Sequence, residues 1–219
     1  MKNSINLTSV SHHFDGADQK ITLFNNLNLS IEAGKSYSIV GPSGAGKSSL
    51  LTLAAGLELP KSGEISFNIN GQQITSLQLR KKSGFIFQQF HLLPELDAIG
   101  NLALPLRLKG DKQATEKALH WLERVGLKDR ATHKPSQLSG GEQQRIAVAR
   151  AFVSDPLFIF ADEPTGNLDQ QTSKEISDLM FEFSSNKQCA LVVVTHSNSI
   201  ACRADKQYRL SNRLLEQLQ

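Results

Sequence analysis

The chain has 219 residues, a length that fits a single domain spanning residues 1–219 with a sizeable buried core. Hydrophobic residues make up 39% of the sequence and charged residues 21%, and no apolar run is long enough to span a bilayer. The 24 basic and 21 acidic residues are scattered, and their net charge of +3 argues against a dedicated nucleic-acid surface. Since the N-terminus lacks the apolar stretch of a secretory signal, we expect a cytoplasmic protein.

The N-terminal part of the sequence predicts an antiparallel layer. Residues 21–24 and 27–31 alternate polar and apolar side chains, and Asn25-Asn26 between them is typical of a turn. Residues 64–69 form a further alternating segment that ends at Asn70-Gly71, which is also a turn sequence. These segments should form strands with one face exposed to solvent.

The rest of the sequence alternates predicted strands with predicted helices. Short, continuous apolar runs are typical of strands that are buried on both faces, and they occur at 38–40, 157–161 and 190–194. Start and stop signals predict helices at about 47–55, at about 112–124 and after Ser139. We therefore predict an α/β fold with a mostly parallel core sheet flanked by helices, an antiparallel β layer, and a helical insert at about 88–135.

A glycine-rich loop follows the predicted strand at 38–40 and precedes a helix-forming run. It fits the pattern GxxxxGK[ST], in which backbone N–H groups and a helix N-terminus face phosphate oxygens. We expect Lys47 to reach the β- and γ-phosphates and the Ser48 hydroxyl to coordinate Mg²⁺. The loop therefore predicts a bound nucleotide. The residues expected to contact it are Gly41, Pro42, Ser43, Gly44, Ala45, Gly46, Lys47, Ser48 and Ser49.

Two carboxylates, Asp162 and Glu163, come directly after the apolar run 157–161. A P-loop requires a metal-holding carboxylate, and open α/β sheets bind ligands where neighbouring strands end. We expect Asp162 to hold Mg²⁺ through water and Glu163 to polarise the attacking water as a general base. Without a P-loop in the same chain, the pair would be interpreted as two surface carboxylates at a strand end.

A second phosphate-binding pattern begins at Ser139. Ser139 is a good helix N-cap, and Gly140 and Gly141 leave backbone N–H groups open to an anion. The stretch LSGGEQQR at 138–145 resembles the LSGGQ signature of the ABC ATPases, and the resemblance extends along nearly the whole chain. It implies a P-loop NTPase of the ABC type that binds and hydrolyses ATP with Mg²⁺, and it adds Glu142 to the expected nucleotide contacts.

The resemblance also implies roles for isolated residues. Gln88, with Gln89 beside it as an alternative, resembles the glutamine that senses Mg²⁺ and the attacking water. His196 resembles the switch histidine that contacts the γ-phosphate, and Asp169 resembles an aspartate that acts across a dimer interface. Phe14 falls where the family places an aromatic ring against adenine, although a core or surface role stays open. The implied catalytic residues are Glu163, His196 and Gln88, and the implied metal ligands are Ser48, Gln88 and Asp162.

The family pattern further implies how the chain assembles. One nucleotide cannot easily use two phosphate sites of one protomer, so each signature is expected to close on the P-loop ATP of the other subunit in a head-to-tail homodimer. The segments 84–94 and 165–169 resemble a bacterial branch that includes lipoprotein-release, macrolide-export and cell-division ATPases.

That branch implies a separate integral membrane subunit of the permease type, with four helices and an extracytoplasmic domain. The chain itself would lie peripherally on the cytoplasmic face of the inner membrane. Residues near 90–105 would form the groove that receives the membrane subunit. The leucines that would contact it, unless they pack within the insert, are Leu92, Leu93, Leu96, Leu102 and Leu104.

Other functions fit the sequence less well. A chromosome-organising ATPase would carry a long coiled-coil insertion, and a translation factor usually carries two ATPase domains in one chain. A regulatory module that never hydrolyses nucleotide would not require Glu163 and His196. The segment after His196 is too short for the regulatory extension of some importer ATPases. An export or extraction ATPase is therefore favoured, with a soluble ATPase that associates with nucleic acid or ribosomes as the alternative.

Overall fold

The computed structural model describes residues 3–15 and 20–218. Its strands are β1 (Ser4–Asp15), β2 (Lys20–Glu32), β3 (Ser36–Val40), β4 (Ser62–Ile69), β5 (Gln72–Ile74), β6 (Ser83–Phe87), β7 (Phe158–Asp162), β8 (Ala190–Val194), β9 (Lys206–Ser211) and β10 (Leu214–Gln217). Its helices are α1 (Lys47–Ala54), α2 (Ser76–Arg80), α3 (Ala98–Leu108), α4 (Ala114–Arg124), α5 (Gly140–Phe152), α6 (Gln170–Lys187) and α7 (Asn198–Ala201). Among the helices of these residues, none is both long and apolar enough to cross a membrane.

The larger sheet contains the strands that were predicted from continuous apolar runs. Its strand order is β10-β9-β3-β8-β7-β6. Strands β9, β3, β8, β7 and β6 are parallel, and β10 pairs with β9 as an antiparallel edge strand. All residues of β8 are buried, because helices or the second sheet cover both faces. The prediction of a mostly parallel core sheet is therefore confirmed.

Hydrophobic residues pack against both faces of this sheet. On one face, Ile159 of β7 belongs to a cluster with α3, α4, α5 and α6. On the other face, Phe158 and Phe160 pack with α1 and the smaller sheet. Helices α3 and α4 lie in the segment predicted as a helical insert, and Trp121 of α4 packs its ring 5.0 Å from that of Phe183 in α6. The insert therefore shares a hydrophobic core with α5 and α6.

The smaller sheet is antiparallel, with the order β2-β1-β4-β5. The turn predicted at Asn25-Asn26 is wrong, because β2 runs through both residues as one strand. Asn26 has a φ of 52°, and the pairing of β2 with β1 shifts register beside it, which defines a β-bulge. Asparagine adopts the left-handed conformation in bulges as readily as in turns. At Asn70-Gly71 the same conformation does form a turn, between β4 and β5.

The carboxyl ends of the parallel strands bring the candidate residues to one edge of the larger sheet. The P-loop follows β3, Gln88 follows β6, and Asp162 ends β7. His196 lies just beyond β8. Since β3 pairs with β8 and β8 pairs with β7, these residues come together although they are far apart in sequence.

Candidate functional site

The P-loop is shaped by its glycines. Gly44 and Gly46 have φ angles of 78° and 94°, in the left-handed region that glycine adopts without a Cβ clash. Gly46 is the N-cap of α1, and no side chain of the described residues caps this end. The first N–H groups of α1 are therefore left for another acceptor. This arrangement suits a phosphate group.

The Lys47 side chain lies inside the P-loop, and only 7% of the residue is exposed. Its Nζ donates to the backbone oxygens of Gly41, at 2.9 Å, and Pro42, at 3.1 Å. Burial lowers the pKa of Lys47, while the negative charges of Glu163 and Asp162 oppose this shift. The loop thus holds a cation ready to interact with an anion at the start of α1.

Asp162 presents a carboxylate with unused acceptor capacity. Within the described part of the chain, its Oδ1 is buried and has no hydrogen-bond partner. A buried acceptor without a partner costs free energy unless a ligand or ion completes it. Carboxylate and hydroxyl oxygens suit Mg²⁺, so Asp162 and the exposed hydroxyl of Ser48 fit the metal that accompanies a nucleotide.

Glu163 and His196 contact each other at the end of the sheet. His196 Nε2 lies 3.2 Å from Glu163 Oε1, and the His196 backbone N–H donates to Glu163 Oε2 at 3.2 Å. Glu163 has a φ of 46°, and its own N–H donates to the oxygen of Val194 at 2.9 Å. Lys47 Nζ lies 3.2 Å from His196 Nε2, so the structure brings the P-loop, Glu163 and His196 together.

The residues around Ser139 form a second cluster. Ser139 and Glu142 make reciprocal hydrogen bonds, since Ser139 Oγ accepts from the Glu142 N–H and the Glu142 carboxylate accepts from the Ser139 N–H. This last bond lowers the pKa of Glu142. Gly140 and Gly141 line a cavity of about 460 Å³ together with Ser139, Glu142 and Asp169. No P-loop residue of the described chain lines this cavity, so the protomer has two separate clusters with phosphate-binding character.

Asp169 and Phe14 have local roles in the structure. The Asp169 carboxylate caps α6 by accepting from the N–H and hydroxyl of Thr172, and the hydroxyl hydrogen bond is the main cause that lowers the Asp169 pKa. Phe14 lies on β1 with 46% of the residue exposed, and its ring packs edge-on against His12 at 5.5 Å. Phe14 is therefore a surface residue next to the buried His12, and its ring is accessible to a ligand.

Gln88 is exposed and turned toward the loop that follows Glu163. Its side-chain Nε2 donates to Asn167 Oδ1 at 3.0 Å. In return, Asn167 Nδ2 donates to the backbone oxygen of Gln88 at 3.3 Å. The structure thus places Gln88 beside the loop after β7.

Among the leucines expected to contact a partner, Leu102 is fully buried and belongs to the core, whereas Leu93 is exposed.

Gln144 was not among the residues predicted from the sequence, yet it is fully buried in α5. Its side-chain Nε2 donates to the oxygens of Phe87 and Pro164, which flank the candidate residues Gln88 and Glu163. A signal was available, because Gln144 falls on the same helix face as the buried Val148 and Ala151. A polar residue within an apolar stripe requires a specific partner.

Together, a P-loop at a sheet edge, a strand-end carboxylate pair and a glycine-rich helix start define a P-loop ATPase. Residues 24–166 match the ABC transporter family, so the chain belongs to that family and is its ATP-binding, ATP-hydrolysing component. The lipoprotein-releasing system ATP-binding protein LolD of Legionella pneumophila (strain Lens) is 48% identical, covering 93% of this chain and 94% of that protein. The macrolide export ATP-binding/permease protein MacB of Bdellovibrio bacteriovorus is 38% identical, covering 97% of this chain and 33% of that longer protein.

A solved structure has the same fold. The ATP-binding cassette MJ0796, in a dimeric post-hydrolysis state bound to ADP and Pi, superposes with a TM-score of 0.86 at 34% identity. The alignment covers 98% of this chain and 99% of that one. The predicted family, the fold class and the ATPase activity are therefore confirmed.

Proposed function

We propose that the chain is the ATPase subunit of an envelope export or extraction complex of the lipoprotein-releasing kind, and that it works as a head-to-tail homodimer beneath a membrane subunit. The observation that carries the dimer is the separation of two phosphate-type clusters, at the P-loop and at Ser139, on one protomer. The identity of 48% to LolD along nearly the whole chain supports the lipoprotein-releasing assignment.

The chemistry assigned to the chain is hydrolysis of the ATP γ-phosphate. Lys47 binds the β- and γ-phosphates, and His196, whose Nε2 lies 3.2 Å from Lys47 Nζ, binds the γ-phosphate beside it. The Glu163 carboxylate accepts a proton from the attacking water, which lies between its oxygen and the phosphorus. Ser48, Asp162 and Gln88 would hold Mg²⁺, which neutralises charge that develops on the phosphate oxygens.

The remaining expected contacts follow from the placement of the residues. The Phe14 ring stacks on adenine, since it is exposed at the end of β1. In the dimer, Ser139, Gly140, Gly141 and Glu142 of one protomer approach the γ-phosphate bound by the other. Asp169 lines the same cavity as the signature, which supports a place for it at the interface between the protomers.

The surface proposed for the membrane subunit is a groove of about 770 Å³ beside β6, and none of the five leucines expected from the sequence to contact a partner lines it. Phe85, Phe87, Pro105 and Leu108 supply its apolar lining. Its charged lining residues are Arg80, Lys81, Lys109 and Arg150, and no carboxylate of the described residues lines it. Arg150 donates to the oxygens of Phe90 and His91, and therefore also fixes the chain after Gln88. A cytoplasmic segment of a membrane protein with four helices and an extracytoplasmic domain would bind here, on the cytoplasmic face of the inner membrane.

The first experiment tests hydrolysis and dimerisation with Glu163→Gln. The variant should keep ATP binding, because Lys47 and the P-loop are unchanged, but lose about 100-fold or more of its turnover with the general base removed. Unhydrolysed ATP should then hold the dimer together. Gel filtration with ATP and Mg²⁺ should show a dimer for Glu163→Gln and a monomer without nucleotide. A Glu163→Gln protein that stays wholly monomeric with bound ATP would contradict the two-cluster arrangement.

The second experiment tests the partner. The tagged chain is purified from detergent-solubilised membranes of its own cells, and the proteins that accompany it are identified by mass spectrometry. A four-helix membrane protein with an extracytoplasmic domain is expected. Recovery of ribosomes or DNA with no membrane subunit would instead support the soluble ATPase.

A further inference from the structure

The most informative group outside the proposed machinery is the side-chain amide of Gln144 in α5. It is fully buried, and burying an amide costs free energy unless its hydrogen bonds are replaced. Its Nε2 donates to Pro164 O at 2.5 Å and to Phe87 O at 3.3 Å. One amide group therefore joins two chain segments that are distant in sequence.

These two segments carry the residues proposed to act on the attacking water. Phe87 pairs with Asp162 at the end of the parallel β6–β7 ladder, and the ladder does not extend beyond this pair. Phe87 directly precedes Gln88, and Pro164 directly follows Glu163. The Gln144 amide thus connects the last paired residue of β6 to the chain just beyond the end of β7, where the parallel pairing of the two strands has stopped.

Other contacts show that the position of Glu163 depends on its surroundings. Glu163 has a φ of 46°, a left-handed conformation that is uncommon for glutamate and costs free energy unless the surrounding structure holds it. On its N-terminal side, the Glu163 N–H is held by Val194 O. On its C-terminal side, the next residue is held because Pro164 O accepts a hydrogen bond from the side chain of Gln144. The backbone of Glu163 is therefore fixed on both sides.

Gln144 also lies on the helix that begins with the signature, since Ser139 is the N-cap of α5. We propose that Gln144 is a positioning residue for ATP hydrolysis, which sets Glu163 and Gln88 relative to each other and to the signature helix. The proposal rests on the roles assigned to Glu163 and Gln88 above. It requires that loss of the amide donor slows the chemical step without weakening nucleotide binding, because the hydrogen bonds of Gln144 to described residues go to Phe87 and Pro164 and not to the P-loop.

The first test is Gln144→Met, which keeps the length of the side chain and removes the donor. ATPase rates and mant-ATP binding are measured at 25 °C, and the melting temperature is recorded. We expect kcat to fall about tenfold to 100-fold, since small displacements of a catalytic group have effects of this size. The KM and the Kd for ATP should stay within about threefold of the wild type.

The matched control is Ser184→Ala, which removes a different buried hydrogen bond, from Ser184 Oγ to Cys189 O at 3.0 Å. Ser184 lies in α6 outside the site, so its loss should lower the melting temperature and leave kcat unchanged. If Gln144→Met and Ser184→Ala lose similar stability and both keep the wild-type kcat, Gln144 is only a core residue and the proposal is overturned.

A second variant keeps the test decisive if Gln144→Met does not fold. In Gln144→Glu, the introduced carboxyl can donate to Pro164 O only while it is protonated, and burial against two carbonyl oxygens raises its pKa. The ratio of its kcat to that of the wild type should therefore fall as the pH rises. Comparison with the wild type cancels every pH effect on the ATPase rate that both proteins share. A ratio that stays near one at a pH where the pH dependence of unfolding shows the introduced carboxyl to be ionised would overturn the proposal.

The same assays separate this inference from the proposed function. If Glu163→Gln hydrolyses ATP as fast as the wild type, the proposed role of Glu163 is wrong. If Glu163→Gln is inactive and Gln144→Met is fully active, the proposed function stands and only the role of Gln144 is lost.

Discussion

At the scale of single residues, the site combines groups whose charges balance one another. The ammonium of Lys47 lies 3.2 Å from His196 Nε2, and His196 Nε2 lies 3.2 Å from Glu163 Oε1. Burial lowers the pKa of Lys47, and the Glu163 and Asp162 carboxylates raise it again. An incoming phosphate would add negative charge beside this buried cation. That charge would stabilise the protonated form of Lys47.

Replacing Lys47 should therefore weaken nucleotide binding. Lys47→Ala removes a charged donor whose hydrogen bonds to phosphate typically contribute about 1.5–3 kcal/mol, so affinity should fall about tenfold to 100-fold. Titration of the protein with mant-ATP, followed by fluorescence, measures the loss. Lys112→Ala, at an exposed loop residue, is the matched control and should bind like the wild type. Equal affinities for the two variants would exclude Lys47 as a phosphate ligand.

The positions and contacts of these residues could be predicted from the sequence to different extents. Lys47 and Ser48 belong to a contiguous motif, and its loop conformation follows from glycines that are visible in the sequence. The contact of His196 with Glu163 could be expected because both follow strands of one parallel sheet. The contacts of Gln144 could not be read from the sequence, since they depend on how α5 packs against the ends of β6 and β7.

At the scale of elements, a buried asparagine organises the start of the helical insert. Asn101 Oδ1 accepts from the Leu93 N–H at 2.7 Å, and Asn101 Nδ2 lies 3.1 Å from Leu93 O and 3.1 Å from Asp97 O. Asp97 in turn caps α3, by accepting from the Gly100 N–H at 2.8 Å. A single side chain thus fixes the loop that leads from Gln88 into α3.

Removal of this side chain should destabilise the fold. Asn101→Ala leaves the Leu93 N–H and nearby carbonyl groups without partners in a buried place, which should cost about 2–4 kcal/mol in the free energy of unfolding. Urea denaturation followed by circular dichroism measures this change. Asn186→Ala, at an exposed position of α6, should change the free energy by less than about 0.5 kcal/mol. A loss for Asn101→Ala no larger than for Asn186→Ala would show that the loop needs no such support.

The limits of prediction at this scale appear in the asparagines of the smaller sheet. Asn26 and Asn70 both have a φ of 52°, the left-handed conformation that asparagine tolerates, yet the predicted turn forms only at Asn70. Asn70 precedes a glycine and completes a turn, whereas Asn26 forms a bulge within β2. The difference arises from the partner strand, because the Asn26 N–H donates to Ser11 Oγ of β1. A single-sequence pattern does not contain this pairing.

At the scale of the whole molecule, the head-to-tail arrangement makes each site depend on both protomers. The P-loop, Glu163 and His196 form one cluster, and Ser139, Gly140 and Gly141 contribute to another. If one ATP is bound between the first cluster of one protomer and the second cluster of its partner, two inactive variants can complement each other. This behaviour would not occur if each protomer hydrolysed ATP alone.

The last experiment mixes Lys47→Ala with Gly140→Asp. A Cβ on Gly140 would meet its nearest neighbour among the described residues, Phe90 Cζ, at 3.5 Å, an ordinary van der Waals contact, and the aspartate carboxylate would add negative charge beside the proposed phosphate site. Each variant alone should have little activity at an ATP concentration near the wild-type KM, where Lys47→Ala binds little ATP. In a mixed dimer, the P-loop of the Gly140→Asp protomer faces the intact signature of the Lys47→Ala protomer, and this site can hydrolyse ATP. With random pairing and independent sites, an equal mixture should regain about a quarter of the wild-type rate.

The control pair is Lys47→Ala with Glu163→Gln. Both changes lie in the cluster formed by the P-loop, Glu163 and His196. Every composite site of a mixed dimer therefore contains a damaged copy of this cluster, and mixing should restore no activity. Steady-state ATPase rates at fixed total protein concentration measure both mixtures. Recovery in the first mixture and none in the second requires that each site is shared between protomers in the head-to-tail order. No recovery in the first mixture, with gel filtration showing that mixed dimers form, would require each protomer to hydrolyse ATP with its own residues.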